Sequence, residues 1–414
     1  MAGVTWAQRW SVAAAIALLA ATPAAALGAA TTQGPARNVA KSAGLVQLTE
    51  SIGATIGDVN RDGRPDVLLN RAFKAPATEY LNTGARFGAV NRTTFVRDDR
   101  HGCAVADVNH DRRRDIYCTV GASHGVKIKS NELWMQQPDG SFVNKAARFH
   151  VSDPDGRSRG AVFFDANNDG WPDLFVSNYY PRPDGLPTPN QFYVNDHGRD
   201  FVAAPAYGLD RTVGGLALAP GCQQSGDYNG DGFRDLLVCG KAGIHLYRND
   251  NGASFTDVTA AVGLSGVWYG ARMVDLNRDG RLDLVMVNRE RLQVRIQQPD
   301  GGFGVVSIAE RLVGGRAVAT GDVNGDGYPD IYVLQGATGA HEVANPPDIM
   351  YLNVGATALR QVPIPETSRG NGASVSPLDY NHDGTRDFLV TNGARGLAGP
   401  VQLISFPPPH RVRR

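Results

Sequence analysis

A nine-residue stretch, Asp58-Val-Asn60-Arg-Asp62-Gly63-Arg-Pro-Asp66, returns at Asp107–Asp115, Asp165–Asp173, Asp227–Asp235, Asp275–Asp283, Asp322–Asp330 and Asp379–Asp387. Every copy has Asp at position 1, Asn at 3, Asp at 5 and Asp at 9, and six of the seven have Gly at 6. One such stretch would be an ordinary turn. Seven in register require a chain built from one repeating unit. Each gathers three carboxylates and an amide oxygen, and like charges so close repel unless a cation sits among them. The loops hold 21 of the 41 acidic residues, which a merely solvated surface would not concentrate in this way. Hard oxygen donors at alternate positions, with Gly at a sharp turn, describe a calcium loop.

The expected side-chain ligands are Asp58, Asn60, Asp62 and Asp66 in the first loop, and Asp107, Asn109, Asp111 and Asp115 in the second. The third offers Asp165, Asn167, Asp169 and Asp173; the fourth Asp227, Asn229, Asp231 and Asp235. Asp275, Asn277, Asp279 and Asp283 come next, then Asp322, Asn324, Asp326 and Asp330, and last Asp379, Asn381, Asp383 and Asp387. An EF-hand would carry a bidentate Glu at position 12. Here position 12 is Leu69, Cys118, Val176, Val238, Met286, Val333 or Val390, always inside a short apolar run. The ninth-position Asp therefore closes the site, and a strand succeeds it.

Formal net charge is zero, which removes the electrostatic case for nucleic acid or an anionic membrane. Residues 1–30 read as a secretory signal: Arg9 ends a short n-region, Trp10–Ala26 is Ala/Leu-rich, and small residues over Ala26–Ala30 offer cleavage positions. The mature chain is expected to be secreted, extracellular, monomeric and without a membrane span. The four cysteines agree with export. Cys103 and Cys118 flank the second loop, and Cys222 and Cys239 the fourth, both in the register of facing residues on a hairpin. Two hairpin disulfides are expected in an oxidising compartment.

Between loops the pattern is equally regular. A small-residue strand precedes each loop, often opening Gly-Ala as in Gly53-Ala54, Gly160-Ala161 and Gly270-Ala271. A continuous apolar run comes after it, such as Leu174–Val176, and suits a strand buried on both faces. An aromatic alternating strand comes third, and a Gly turn leads to an aromatic that opens a fourth. Four short strands per repeat and seven repeats predict an all-β, seven-bladed β-propeller over residues 40–406, with a Pro/Arg-rich tail at 407–414. The seventh blade is one strand short. Leu45-Val-Gln-Leu48 is expected to supply its outer strand and close the ring.

These residues resemble the FG-GAP (VCBS-type) repeats of integrin α-chain propellers and of many secreted bacterial proteins. The stretch Ile244-His-Leu-Tyr-Arg-Asn-Asp-Asn-Gly-Ala-Ser-Phe-Thr-Asp-Val-Thr259 is close to the bacterial form. The resemblance implies Ca2+ in several structural sites, with a backbone carbonyl ligand at position 7 from Arg64, Trp171, Phe233, Arg281, Tyr328 and Thr385. The second loop departs from the pattern. Arg112 replaces Gly there, with Arg113 and Arg114 after it, so its calcium site is the doubtful one.

If the Asp loops join first and second strands, links from second to third strand emerge on the opposite face. Four of these are long, over residues 70–78, 121–130, 177–190 and 335–348. They offer Arg71, Lys74, His124, Lys127, Lys129, Tyr179, Tyr180, Arg182, His341 and Glu342, of which Lys127, Tyr179, Tyr180, Arg182, His341 and Glu342 are the ligand-face candidates. No Gly-x-Ser-x-Gly nucleophile motif and no His-Glu-x-x-His zinc motif occurs. The expectation is a non-catalytic binding or adhesion module for a protein or glycan partner. The alternatives are a lectin-like carbohydrate binder and a secreted polysaccharide lyase or hydrolase working at the propeller face, with His341-Glu342 beside Tyr179 and Tyr180.

Overall fold

The architecture is taken from a computed structural model of the chain. The structure describes residues 35–45, 48–49, 51–71, 76–84, 86–90, 95–96, 98–121, 129–179, 188–210, 222–240, 243–306, 312–336, 346–356, 358–365, 372–393 and 399–407. The chain forms seven four-stranded antiparallel sheets arranged as blades. In blade one the strands are Ser51–Gly57, Asp66–Arg71, Thr78–Asn82 and Phe87–Val90, each paired with the next in sequence. Blades two to six repeat this order, and each Asp-rich loop joins a first strand to a second.

The small residues of the first strands answer to close approach around the axis. A β-carbon on Gly102 would sit 3.1 Å from the Arg159 carbonyl oxygen of the next blade. One on Gly270 would sit 2.9 Å from Ala317 Cα. The apolar second strands are buried on both faces, as in Asp173–Asn178 and Asp235–Gly240. Each is covered by the two neighbouring blades. The result is seven cores rather than one, each filling one junction between adjacent blades. The aromatics that open fourth strands, Phe87, Phe142, Phe255 and Phe303, and Phe201 at the second position of its own, are all buried in these junctions.

The ring closes differently from the sequence expectation. The outer strand of blade seven is Arg37–Asn38, paired antiparallel with Gln402–Ser405, and lies ahead of residue 40. Asn38 Oδ1 accepts from Leu403 N at 3.3 Å and from Ala40 N at 3.2 Å, fixing the strand end and the adjoining turn. The chain turns through Lys41–Gly44, with Gly44 at φ 85°, and Leu45 is spent in the core between blades seven and one. Leu48–Thr49 instead pairs with Gly399–Pro400 in a separate two-stranded ribbon. The alternation of Leu45–Leu48 looked like a strand because an apolar plug after a turn has the same local pattern.

Both hairpin disulfides are present, Cys103–Cys118 with Cα atoms 4.1 Å apart and Cys222–Cys239 with 5.4 Å. Cys103 and Cys118 face each other directly in the strand register.

Candidate functional site

The seven Asp loops share one internal hydrogen-bond scheme. In the first, Asp58 takes the N–H groups of Asp62 and Gly63 at 3.1 and 2.8 Å, and Asp62 Oδ1 takes that of Arg64 at 2.9 Å. Asn60 Oδ1 accepts from Asp62 N, and its Nδ2 donates back to Asp62 Oδ2 at 2.9 Å. The same bonds recur through the seventh loop, at Asp379, Asn381, Asp383, Gly384 and Thr385. Sequence reasoning foresaw a left-handed residue at position 6, and all seven are, including Arg112 at φ 67°. It missed position 4. Arg61, His110, Asn168, Gly230, Arg278, Gly325 and His382 are all left-handed as well. Only two of these are glycines, so the backbone scheme overrides a cost of roughly 1 kcal/mol at each of the other five. His110 is exposed but stacks on Trp171 of the next loop, with ring centroids 3.8 Å apart.

Position 9 does double duty. Both oxygens of Asp66 accept backbone N–H groups, from Val59 at 2.9 Å and from Asn82 at 2.8 Å. Asn82 ends the third strand, and its side-chain Nδ2 donates to the Tyr380 carbonyl of the preceding blade at 2.8 Å. The arrangement recurs around the ring. Gln136 donates to Val59 O, Asn195 to Val108 O, Asn249 to Ala166 O, Gln297 to Tyr228 O and Asn353 to Leu276 O, at 2.6–2.9 Å. A buried amide thus latches each loop to the next blade at six junctions. The seventh differs. Phe406 stands at the latch position and packs in the core between blades six and seven. Asp387 Oδ1 is left buried without a hydrogen-bond partner, the Ser405 hydroxyl lying beside the carboxyl. The signal was in the sequence as Tyr-x-Asn at Tyr80, Tyr193, Tyr247 and Tyr351, but it reads as the end of a strand until two blades are brought together.

The loops have the chemistry of a divalent-cation site. Burial first, and then the Asp residues at 5 and 1, push the ninth carboxyl up: to about 7 in Asp115, Asp173, Asp235, Asp330 and Asp387, and to about 6 in Asp283. Asp66 is raised for the same reasons. A cation among the carboxylates would relieve that crowding. The hydrogen-bonded form is nonetheless closed on itself. Among the described residues no group of three or more His, Cys, Asp or Glu is arranged to hold a metal ion. In three loops a guanidinium takes part, from Arg64 to Asp62, Arg113 to Asp111 and Arg281 to Asp279. Binding would require the Asn to present its oxygen and these arginines to withdraw. The guanidinium that meets the second cluster comes from position 7, and the second loop shares it with the first and fifth.

Of the ligand-face candidates, Lys127, Tyr180, Arg182, His341 and Glu342 lie outside the described residues, as do Lys74 and His124. Tyr179 lies within them. It comes directly after the second strand of blade three, donates its N–H to the Arg157 carbonyl at 2.8 Å, and meets two guanidiniums. Arg157 Cζ is 4.7 Å and Arg159 Cζ 5.5 Å from its ring centroid. His101 Nε2 of blade two lies 3.1 Å from Asp99 Oδ1. A β-carbon on Gly121 would stand 2.6 Å from His101 Nε2, 2.5 Å from Arg159 Nη1 and closer still to Asp99 Oδ2. Three polar groups from two blades therefore face one point. Burial pushes Arg159 down to about 10, still charged at neutral pH, and with Arg159 beside it pushes the His101 imidazole down too. Around the cluster, Arg100 is held by Glu132 at 2.6 and 2.8 Å and Lys129 by Asp98 at 2.8 Å. The only sequence signal for this site was Tyr179.

A protein whose seven blades each carry such a loop is a repeat propeller, and comparison with known proteins says which kind. The profile of the FG-GAP-like repeat matches residues 107–176, 227–286 and 275–333. The chain is thus a β-propeller that carries FG-GAP-like repeats in those segments, and over part of its length it is similar to an integrin α-chain. It is 31% identical over 97 residues to integrin alpha-3 of Mus musculus, covering 21% of this chain and 9% of that protein. It is 24% identical over 404 residues to human cartilage acidic protein 1, covering 85% of this chain and 57% of that one. The chain therefore spans less than two thirds of either relative. Among solved structures, an Agrocybe aegerita lectin that recognises non-reducing terminal N-acetylglucosamine aligns with TM-score 0.51 at 19% identity, over 76% of this chain and 79% of the lectin. BBS1N, solved in complex with ARL6DN, aligns with TM-score 0.52 at 12% identity, over 91% and 97%. At those identities the likeness shows the fold.

Proposed function

We propose that the chain is an exported, calcium-stabilised binding module without catalysis of its own, and that the face opposite the Asp loops carries the ligand site. One observation carries the choice of face. On the loop face the polar groups saturate one another in repeated hydrogen bonds, whereas the cluster around Gly121 occurs once and joins blades two and three. A rigid ring with long excursions on one side suits recognition, because less chain must be ordered on binding. Two disulfides fit an extracellular setting. Among the described residues no helix is long and apolar enough to cross a membrane. The lectin neighbour makes a carbohydrate the second reading.

The test is a screen of extracellular proteins and immobilised glycans, run with 1 mM calcium and with chelator, beside turnover assays on the glycans. Capture that needs calcium and leaves the captured glycan uncut is the expected result. Cleavage of a polysaccharide at a turnover rate above background would refute the non-catalytic reading.

A further inference from the structure

We propose that a small inorganic anion binds on the axis of the ring, beside Arg272 of blade five. The site is independent of which face carries the ligand of the module.

The repeat shows how unusual Arg272 is. Two residues beyond each ninth-position Asp, the second strand pairs with Thr55, Ala104, Val162, Gln224, Arg272, Ala319 or Ser376 of the first. Six of these seven equivalent residues are uncharged, and only blade five carries a cation. First strands that approach closely around an axis favour short side chains, so the repeat itself does not dictate an arginine there.

A cavity of about 110 Å³ lies beside this residue. Its lining comes from blades one, two, three, four, five and seven, which places it at the axis. At roughly 30 Å³ per water molecule it has room for about three or four waters. That is enough for a small ion and too little for a sugar chain or a peptide. Thr55, Asn70, Gln223, Ser374 and Ser376 bring hydroxyls and amides to the lining, Arg272 brings its one charge, and no carboxylate lines it. Arg272 keeps some accessible surface although protein surrounds it, because the cavity beside it admits groups the size of water.

The hydrogen bonds around the cavity join neutral acceptors. Arg272 Nη1 donates to the Ala271 carbonyl at 2.8 Å, and Thr55 Oγ1 to the Cys103 carbonyl at 3.3 Å. Gln223 Nε2 donates to Ser177 Oγ at 2.9 Å, and the Ser374 and Thr391 hydroxyls share a bond at 2.9 Å. Such bonds satisfy donors without supplying negative charge. Burial pushes Arg272 down to about 10, so the guanidinium is still charged at neutral pH. A charge held away from water is costly unless an opposite charge accompanies it, and the low dielectric of the interior strengthens that attraction. A small anion in the cavity supplies the missing charge, with the lining hydroxyls and amides as further donors.

The test uses the full chain loaded with calcium, with bromide as the probe. Melting is followed while sodium bromide replaces sodium gluconate at constant ionic strength, gluconate being too large for the cavity. The melting temperature should rise and then saturate, as a ligand of the folded state requires. In Arg272→Gln the bromide concentration at half-saturation should rise about tenfold or more, the loss of one charge-assisted contact. Arg272→Lys keeps the charge and should keep the saturable response. Crystals of the unaltered protein soaked in bromide should show an anomalous peak in the axial cavity beside Arg272. A response that never saturates, the same response in Arg272→Gln, or bromide only at the outer surface with water alone in the cavity would each overturn the inference. The soaked crystal needs no variant, so it decides the matter should Arg272→Gln fail to fold.

Discussion

The amide latches make the sharpest quantitative prediction. Asn249 is 1% exposed. Its Nδ2 donates to Ala166 O at 2.7 Å and to Arg234 O at 3.1 Å, and its Oδ1 accepts from Gly252 N at 2.7 Å. Asn249→Ala removes all three bonds. Ala166 O is then left buried and Gly252 N half-buried without a partner, and an unsatisfied buried group costs about 1–3 kcal/mol. The expected loss is about 3–4 kcal/mol, summed over those two groups. Asn195→Ala should lose a similar amount, because it makes the equivalent bonds to Val108 O, Pro172 O and Gly198 N. Asn249→Asp should be worse than Ala, since it sets an anionic oxygen against two carbonyls. The assay is denaturant unfolding with calcium in excess, monitored by far-ultraviolet dichroism and tryptophan fluorescence, with coincident transitions required before free energies are compared. Losses under about 1 kcal/mol for both alanine variants, the worth of one ordinary hydrogen bond, would refute the latch as a source of ring stability.

Two further predictions concern the Asp loops. An extracellular-type calcium site with a dissociation constant near 10⁻⁴ M contributes about 1.4 kcal/mol at 1 mM calcium, so several occupied loops should make the melting temperature fall steeply on chelation. An unchanged melting temperature in chelator would exclude structural calcium. In the second loop, Arg112→Gly relieves a left-handed arginine while keeping the bond from its backbone N to Asp107 Oδ2 at 2.8 Å. It should raise stability by about 1 kcal/mol, and a neutral or destabilising result in a thermal melt would show that the Arg112 side chain contributes more than its strain costs.

Much of the molecule was legible in the residues because the repeat is local. Seven Asp loops, four strands per loop and two cysteine pairs in hairpin register are relations between residues a few positions apart. Antiparallel pairing converts such spacings directly into contacts, which is why Cys103 and Cys118 meet as their numbering implied. The sequence also located Phe87, Phe142, Phe255 and Phe303 as starts of fourth strands, since a Gly turn reverses the chain and sets where the next strand begins. Relations between blades were out of its reach. Arg37–Asn38 closes the ring because its hydrogen bonds are met at the outer edge of Gln402–Ser405, and that edge is about 365 residues away in sequence. The amide of Asn82 ends a strand in one dimension and holds Tyr380 in three. The cluster of His101, Gly121, Arg159 and Tyr179 exists because adjacent blades pack their first strands within van der Waals distance, which brings side chains of one repeat against a glycine of another. Local spacing determined the unit; the close packing of units around the axis decided which of their polar groups meet.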